Sequence, residues 1–149
     1  MKIKIKKLRS DVEIPTYATS GAAGFDLRAS QDATIYPNGT AFIGTGLAFE
    51  IPEGYEMQIR PRSGMSAKTK VRVANSPGTI DSDYRGEVKI ILDNIYDKNT
   101  GNMDAYTIRK GDRIAQGVIC PVLQVEFEEV EELDETERGE GGLGSTGSK

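Results

Sequence analysis

Tyr55-Glu-Met-Gln-Ile-Arg60 alternates apolar and polar side chains with a period of two, the pattern of a strand with one face on a core. Lys2-Ile-Lys-Ile-Lys6 and Thr69-Lys-Val-Arg-Val-Ala74 repeat it. The stretches 40–51, 86–95, 105–108 and 113–127 are apolar or alternating and rich in β-branched residues. Turn signals separate these runs: Pro37-Asn-Gly39, Pro52-Glu-Gly54, Asn75-Ser-Pro-Gly78 and Lys110-Gly-Asp112. No long segment keeps an i, i+3, i+4 apolar stripe. Only Ser63 to Lys68 reads as a helical turn, and Val125 to Leu133 is ambiguous between the two periods. Many short strands at close spacing predict an all-β fold, a β-sandwich or jelly roll.

The chain has 149 residues, enough for one domain with a sizeable core. Its hydrophobic fraction of 37% and charged fraction of 28% describe a soluble globular protein. No apolar run reaches the ~18 residues of a membrane helix. The basic start, Met1-Lys-Ile-Lys-Ile-Lys-Lys7, leads into no apolar stretch, so no secretory signal is expected. There is no His, which removes Ser-His-Asp and Cys-His catalysis and every His-ligated metal. One Cys removes intrachain disulfides and suits a reducing compartment. Any metal must be hard and oxygen-bound, with Mg²⁺ first.

The formal charge of −4 is unevenly spread. Residues 126–138 hold eight acids and one Arg, which leaves 18 basic against 15 acidic residues elsewhere, a net of +3. A mildly positive body suits a small anion better than DNA, which calls for a denser basic stripe. The acidic run itself reads as a solvated strand edge and linker.

From about Glu137 the composition changes. Arg138-Gly-Glu-Gly-Gly-Leu-Gly-Ser-Thr-Gly-Ser-Lys149 has one apolar side chain in twelve residues, as a disordered tail would. It contains Gly142-Leu-Gly-Ser-Thr-Gly147, but two residues follow, so neither a dinucleotide fold nor a Walker A helix is expected. The physics beneath those motifs remains: glycines turn backbone N–H groups toward an anion, and Ser145, Thr146 and Arg138 add donors. A phosphate-gripping arm therefore stands beside plain disorder.

Four other stretches are polar and Gly-punctuated. Arg60-Pro-Arg-Ser-Gly64 is an anion nest at a strand end, or an ordinary turn with Ser63 as N-cap. Gly78-Thr-Ile-Asp-Ser-Asp-Tyr-Arg-Gly-Glu87 is hairpin-like, with Asp81 and Asp83 either chemical or mere turn residues and Tyr84 otherwise a half-buried strand aromatic. Asp26 in Gly24-Phe-Asp-Leu-Arg-Ala29 sits in apolar context, where an acid is paired or functional. Gln116 in Gly111-Asp-Arg-Ile-Ala-Gln116 interrupts a buried strand, as a ligand contact or a bonded core amide.

Taken in order, Ala23-Gly-Phe-Asp-Leu-Arg-Ala29, Pro61-Arg-Ser-Gly64, the 78–87 segment, Gly111 to Gln116 and Arg138 to Gly147 resemble the five motifs of the homotrimeric dUTPases. The resemblance covers essentially the whole chain. It implies a jelly-roll domain over 1–137 with a flexible phosphate-binding arm over 138–149. It implies hydrolysis of dUTP to dUMP and pyrophosphate with Mg²⁺, limiting uracil in DNA and supplying dUMP for thymidylate synthesis. The active sites would be shared among the chains of a homotrimer, in the cytoplasm (the host's, for a viral source). Neither direct nucleic-acid binding nor membrane binding is expected.

By the same resemblance Asp81 is the general base for water attack on the α-phosphorus. Asp26 meets Mg²⁺ through water, the ion being held mainly by the triphosphate. Arg62, Ser63, Gly64 and Gln116 contact phosphates, Arg138 holds the γ-phosphate, and Gly144, Ser145 and Thr146 wrap the chain of phosphates. Asn75 and the backbone of Thr79, Ile80 and Lys89 read uracil, while Tyr84 packs on the deoxyribose.

Two departures stand out. Leu143 replaces the usual arm aromatic, which implies a looser arm or another ring over uracil, with Phe25, Tyr96 and Tyr106 as candidates. The segment 93–104 is longer than in short family members and is expected to be a surface hairpin. Two rival readings are a dCTP deaminase or bifunctional deaminase–dUTPase, and a non-catalytic nucleotide-sensing module on the same fold.

Overall fold

The computed structural model describes residues 1–95 and 104–142. In chain order the strands are β1 (Lys4–Lys7), β2 (Phe25–Arg28), β3 (Ala33–Ile35), β4 (Thr40–Gly44), β5 (Leu47–Glu50) and β6 (Tyr55–Arg60). The helix α1 (Ser63–Lys68) follows, then β7 (Val71–Val73), β8 (Gly78–Ile80), β9 (Lys89–Asn94), β10 (Tyr106–Ile108) and β11 (Arg113–Pro121). The all-β expectation holds, and β6 and α1 occupy the predicted residues.

Pairing is antiparallel throughout. The sheet that carries most of the site runs in the order β2-β11-β6-β8, and a second runs β4-β9-β7. Two-stranded pairs, β1-β5 and β10-β3, complete the jelly roll. The alternation read in β6 is real: Met57 and Ile59 are buried, while Glu56, Gln58 and Arg60 form an outward ladder. Leu27, Ile35, Ile43, Met57, Ile90, Leu92, Ile108 and Ile114 are fully buried in one core drawn from both larger sheets and the β10-β3 pair. Each side chain of this size contributes ~1.5–3 kcal/mol by leaving water.

The apolar stretch 40–51 is two strands, because Gly46 turns the chain at φ +68° and Thr45 bonds the Val88 carbonyl instead of continuing β4. The stretch 113–127 is a strand only as far as Pro121, which lacks the N–H a ladder needs. Beyond it Val122 N donates to Gly54 O, and residues 122–133 lie exposed with no regular structure, so neither period of Val125 to Leu133 is realised. Tyr96 and most of the expected 93–104 hairpin fall outside the described residues. No helix among those described is long and apolar enough to cross a membrane.

Candidate active site

The phosphate-type residues converge at the end of β6. Arg62 follows that strand in extended conformation (φ −96°, ψ 131°) and is itself the N-cap of α1, so Ser63 is the first helical residue and not the cap. Pro61 disfavours helical backbone at Arg60 before it, which keeps the end of β6 extended, and the helix begins two residues after the proline. The Ser63 hydroxyl is thereby left to a cleft of about 250 Å³ lined by Asp26, Arg62, Ser63, Gly64, Arg113 and Gln116.

Charge pairing orders this cleft. Arg62 Nε donates to Asp26 Oδ1 at 2.7 Å, with both side chains about a quarter exposed (25% and 26%), and Arg113 Nη1 reaches Asp26 Oδ2 at 3.4 Å. Asp26 thus holds two guanidinium groups, each free to turn remaining donors toward an anion. Gln116, opposite Asp26 on β11, donates Nε2 to Pro61 O at 2.9 Å and ties the cleft floor to the β6 end. A side chain at Gly24 would bring its Cβ within 2.6 Å of Gln116 Oε1, so only glycine leaves that amide its place. Arg113 is a cleft residue that sequence reasoning missed; its signal was the Gly111-Asp-Arg113 approach to Gln116.

The nucleoside-type residues gather at the other end of the molecule's main sheet. Thr79, Ile80, Asp81, Tyr84, Glu87 and Lys89 line a cavity of about 330 Å³, with Phe42 and Ile91 as its apolar wall. A turn closes it, Tyr84 N donating to Asp81 O at 3.2 Å, braced by Arg85 on the carbonyls of Ser82 and Tyr84. Tyr84 lies across Gly86, where any Cβ would overlap its hydroxyl, and donates that hydroxyl to Glu87 O at 3.0 Å. The ring is 44% exposed, an open apolar face rather than a core aromatic. Asp81 is exposed and lies on the rim between this cavity and a broad groove of about 870 Å³ lined by Glu53, Tyr55, Glu56 and Ser82. Asn75 is not in the cavity lining; its side-chain amide rests against Gly78.

The two groups do not meet within one chain. The β6–β8 register pairs Ile80 with Met57, so Asp81 lies near the start of β6, whereas Arg62 lies beyond its end. At ~3.3 Å per residue the strand separates them by about 20 Å. Arg138 is exposed and donates Nε to Gly141 O at 2.7 Å. Leu143, Gly144, Ser145 and Thr146 lie outside the described residues. Of the rings proposed to replace an arm aromatic, Phe25 is buried at 7% exposure between Tyr17 and Phe49 and cannot cover a ligand. Tyr106 packs against the core from β10.

The dUTPase family model matches residues 10–147. The chain belongs to the dUTPase family. The deoxyuridine 5'-triphosphate nucleotidohydrolase of Nautilia profundicola is 57% identical over 130 residues, 87% of each chain. That of Helicobacter hepaticus is 54% identical over 130 residues, covering 87% of this chain and 78% of its own. Among solved structures, a mutant Staphylococcus bacteriophage 80alpha dUTPase with dUpNHpp superposes with a TM-score of 0.88 at 30% identity, covering 98% of both chains. A mutant dUTPase from phage phi11 of S. aureus, described with a structural Mg(II) ion, gives 0.79 at 29% identity, covering 89% of this chain and 98% of its own. The dUTPase fold so identified is the jelly roll described above.

Proposed function

We propose that this dUTPase hydrolyses dUTP to dUMP and pyrophosphate at sites shared between the chains of a homotrimer. The observation that carries the shared site is the separation along β6. Asp81 and Arg62 stand about 20 Å apart along one strand, further than three linked phosphates can span. A dUTP seated in one chain's nucleoside cavity must therefore take its phosphate cleft from a second chain. The arm from Arg138 onward, with Gly144, Ser145 and Thr146, would come from a third.

In this reading the backbone of Thr79, Ile80 and Lys89 complements the acceptor–donor–acceptor edge of uracil, and cytosine presents the wrong pattern. Asn75 acts from behind Gly78. Tyr84 packs on the deoxyribose where a 2′-hydroxyl would clash. Asp81, exposed on the rim, takes a proton from water as its oxygen bonds to the α-phosphorus; the bond to the α,β-bridging oxygen breaks, and pyrophosphate leaves. A positioned base of this kind contributes ~10²–10⁴-fold. Arg62, Ser63, Gly64, Arg113, Gln116 and Arg138 hold and neutralise the phosphates.

Among the described residues no group of three or more His, Cys, Asp or Glu side chains could cage a metal. Asp26, a carboxylate in the phosphate cleft, would meet through water an Mg²⁺ carried mainly by triphosphate oxygens. Bound there, the ion would supply charge neutralisation along the phosphates. The cytoplasm is the proposed compartment, since a single cysteine suits reducing surroundings.

Asp81→Asn tests the central role. It should bind a non-hydrolysable dUTP analogue like the parent and lose at least ~100-fold in single-turnover pyrophosphate release. Turnover within about threefold of the parent would remove Asp81 from the chemistry. Ammonia release from dCTP would instead reveal a deaminase.

A further inference from the structure

Phe42 and Ile91, the apolar wall of the nucleoside cavity, take no part in the chemistry proposed for it. Phe42 on β4 stands across from Ile91 on β9, and two residues along the same face Gly44 stands across from Lys89. Gly44 has no side chain, and the Glu87 carboxylate fills the place its Cβ would take, so the Glu87 carboxylate, Lys89 and the Phe42 ring all border the cavity. That ring is 67% exposed, while Ile43 beside it is buried at 2%. A large ring left in water on the wall of a cavity is open to contact with a ligand bound there. Among the described residues the aromatics that line this cavity are Phe42 and Tyr84. The arm offers Leu143 where the family resemblance implies an aromatic, and Phe25 is locked in the core.

We infer that Phe42 is a substrate-contacting specificity residue whose ring covers the uracil of dUTP. The inference rests on the assignment of the nucleoside to this cavity. Thr79, Ile80 and Lys89 offer backbone groups to the base edge, Tyr84 takes the sugar, and the face of the base needs an apolar partner. Phe42 supplies it from a strand, a rigid support that needs no closing motion.

The chain contains no Trp, so Phe42→Trp places a single indole at the site of interest. In the full-length assembled protein its emission should change on addition of dUMP and stay constant with inorganic pyrophosphate. Phe42→Ala should weaken dUMP binding about tenfold, in line with ring–base stacking. It should raise KM for dUTP in step while kcat stays within about twofold, and Phe42→Leu should recover part of the loss. If Tyr84→Ala weakens dUMP but the indole is silent and Phe42→Ala binds like the parent, the Phe42 assignment is wrong and the cavity stands. If neither Tyr84→Ala nor Phe42→Ala alters dUMP binding, the nucleoside cavity itself is misassigned, and this inference falls with it. Light scattering covers the remaining case: an indole that responds to dissociation of the assembly but not to dUMP marks a chain–chain contact and overturns the proposal.

Discussion

Tyr84 shows how much of a binding surface can depend on neighbours that do no chemistry. Its ring is laid down by the missing side chain of Gly86 and by the hydroxyl's bond to Glu87 O. The Glu87 carboxylate is anchored in turn, accepting from Gly46 N at 2.9 Å. With its surface gone, Tyr84→Ala should narrow the preference for dUTP over UTP by about tenfold or more. The kcat/KM ratio for the two nucleotides measures this, and an unchanged ratio moves sugar selection elsewhere. Gly86→Ala should act in the same direction, because a Cβ there displaces the ring. Asp26 has the same character. It is half-buried, it carries two arginines, and its most direct influence is on where Arg62 points.

At the scale of elements, the segment after β1 and the β10–β11 turn are clasped by ion pairs. Arg9 grips Asp11 through Nε at 3.1 Å and Nη2 at 3.0 Å, and Lys110 Nζ meets the same carboxylate at 2.6 Å. These bonds, Arg9 first, hold the Asp11 carboxyl well below the usual carboxylate range. Asp32 is lowered by the backbone N–H of Lys110 at 2.8 Å and then by Arg109 at 3.2 Å. A depressed folded-state pKa stabilises the fold above the unfolded value near 4, and that contribution fades as pH falls through the folded value. The double variant Asp11→Asn, Asp32→Asn should therefore unfold at lower urea than the parent at pH 7, with the gap narrowing as pH falls below about 4. Both groups are exposed, so the gap should be small and should shrink in salt. A gap independent of pH would show that the asparagines perturb packing and not charge.

At the scale of the molecule, the separation of the two clefts makes subunit sharing a matter of geometry, and it can be tested by complementation. Asp81→Asn and Arg62→Ala should each be inactive alone. Unfolded together and refolded as mixed assemblies, they should regain activity, with about a quarter of sites drawing both intact parts for equal amounts of each chain. No recovery would mean that one chain supplies both. Removing residues 138–149 should abolish efficient hydrolysis yet leave the assembly folded, since that segment has one apolar side chain to bury. Light scattering and a pyrophosphate assay on the same sample check this; an active or a monomeric truncation sinks the idea.

The class of fold was legible in the residues alone, because side-chain periodicity is a local property: the strand Tyr55 to Arg60 and the helical turn Ser63 to Lys68 could be read without knowing their neighbours. The sequence also marked Asp26, Arg62, Asp81, Tyr84 and Gln116 as out of place in a plain β chain, since polar groups and glycines at strand ends carry a cost unless used. The tertiary structure decided what those residues face. It joined Arg62 to Asp26 across 36 positions and added Arg113 to the pair. It stopped β11 at Pro121, where a hydrophobic pattern continues but a ladder donor is missing. It put Phe25, a ring that composition alone could offer to a ligand, inside the core, and left Phe42 outside. Which of two phenylalanines is buried depends on strand register, and register is set by pairing between segments dozens of residues apart. No local pattern contains it.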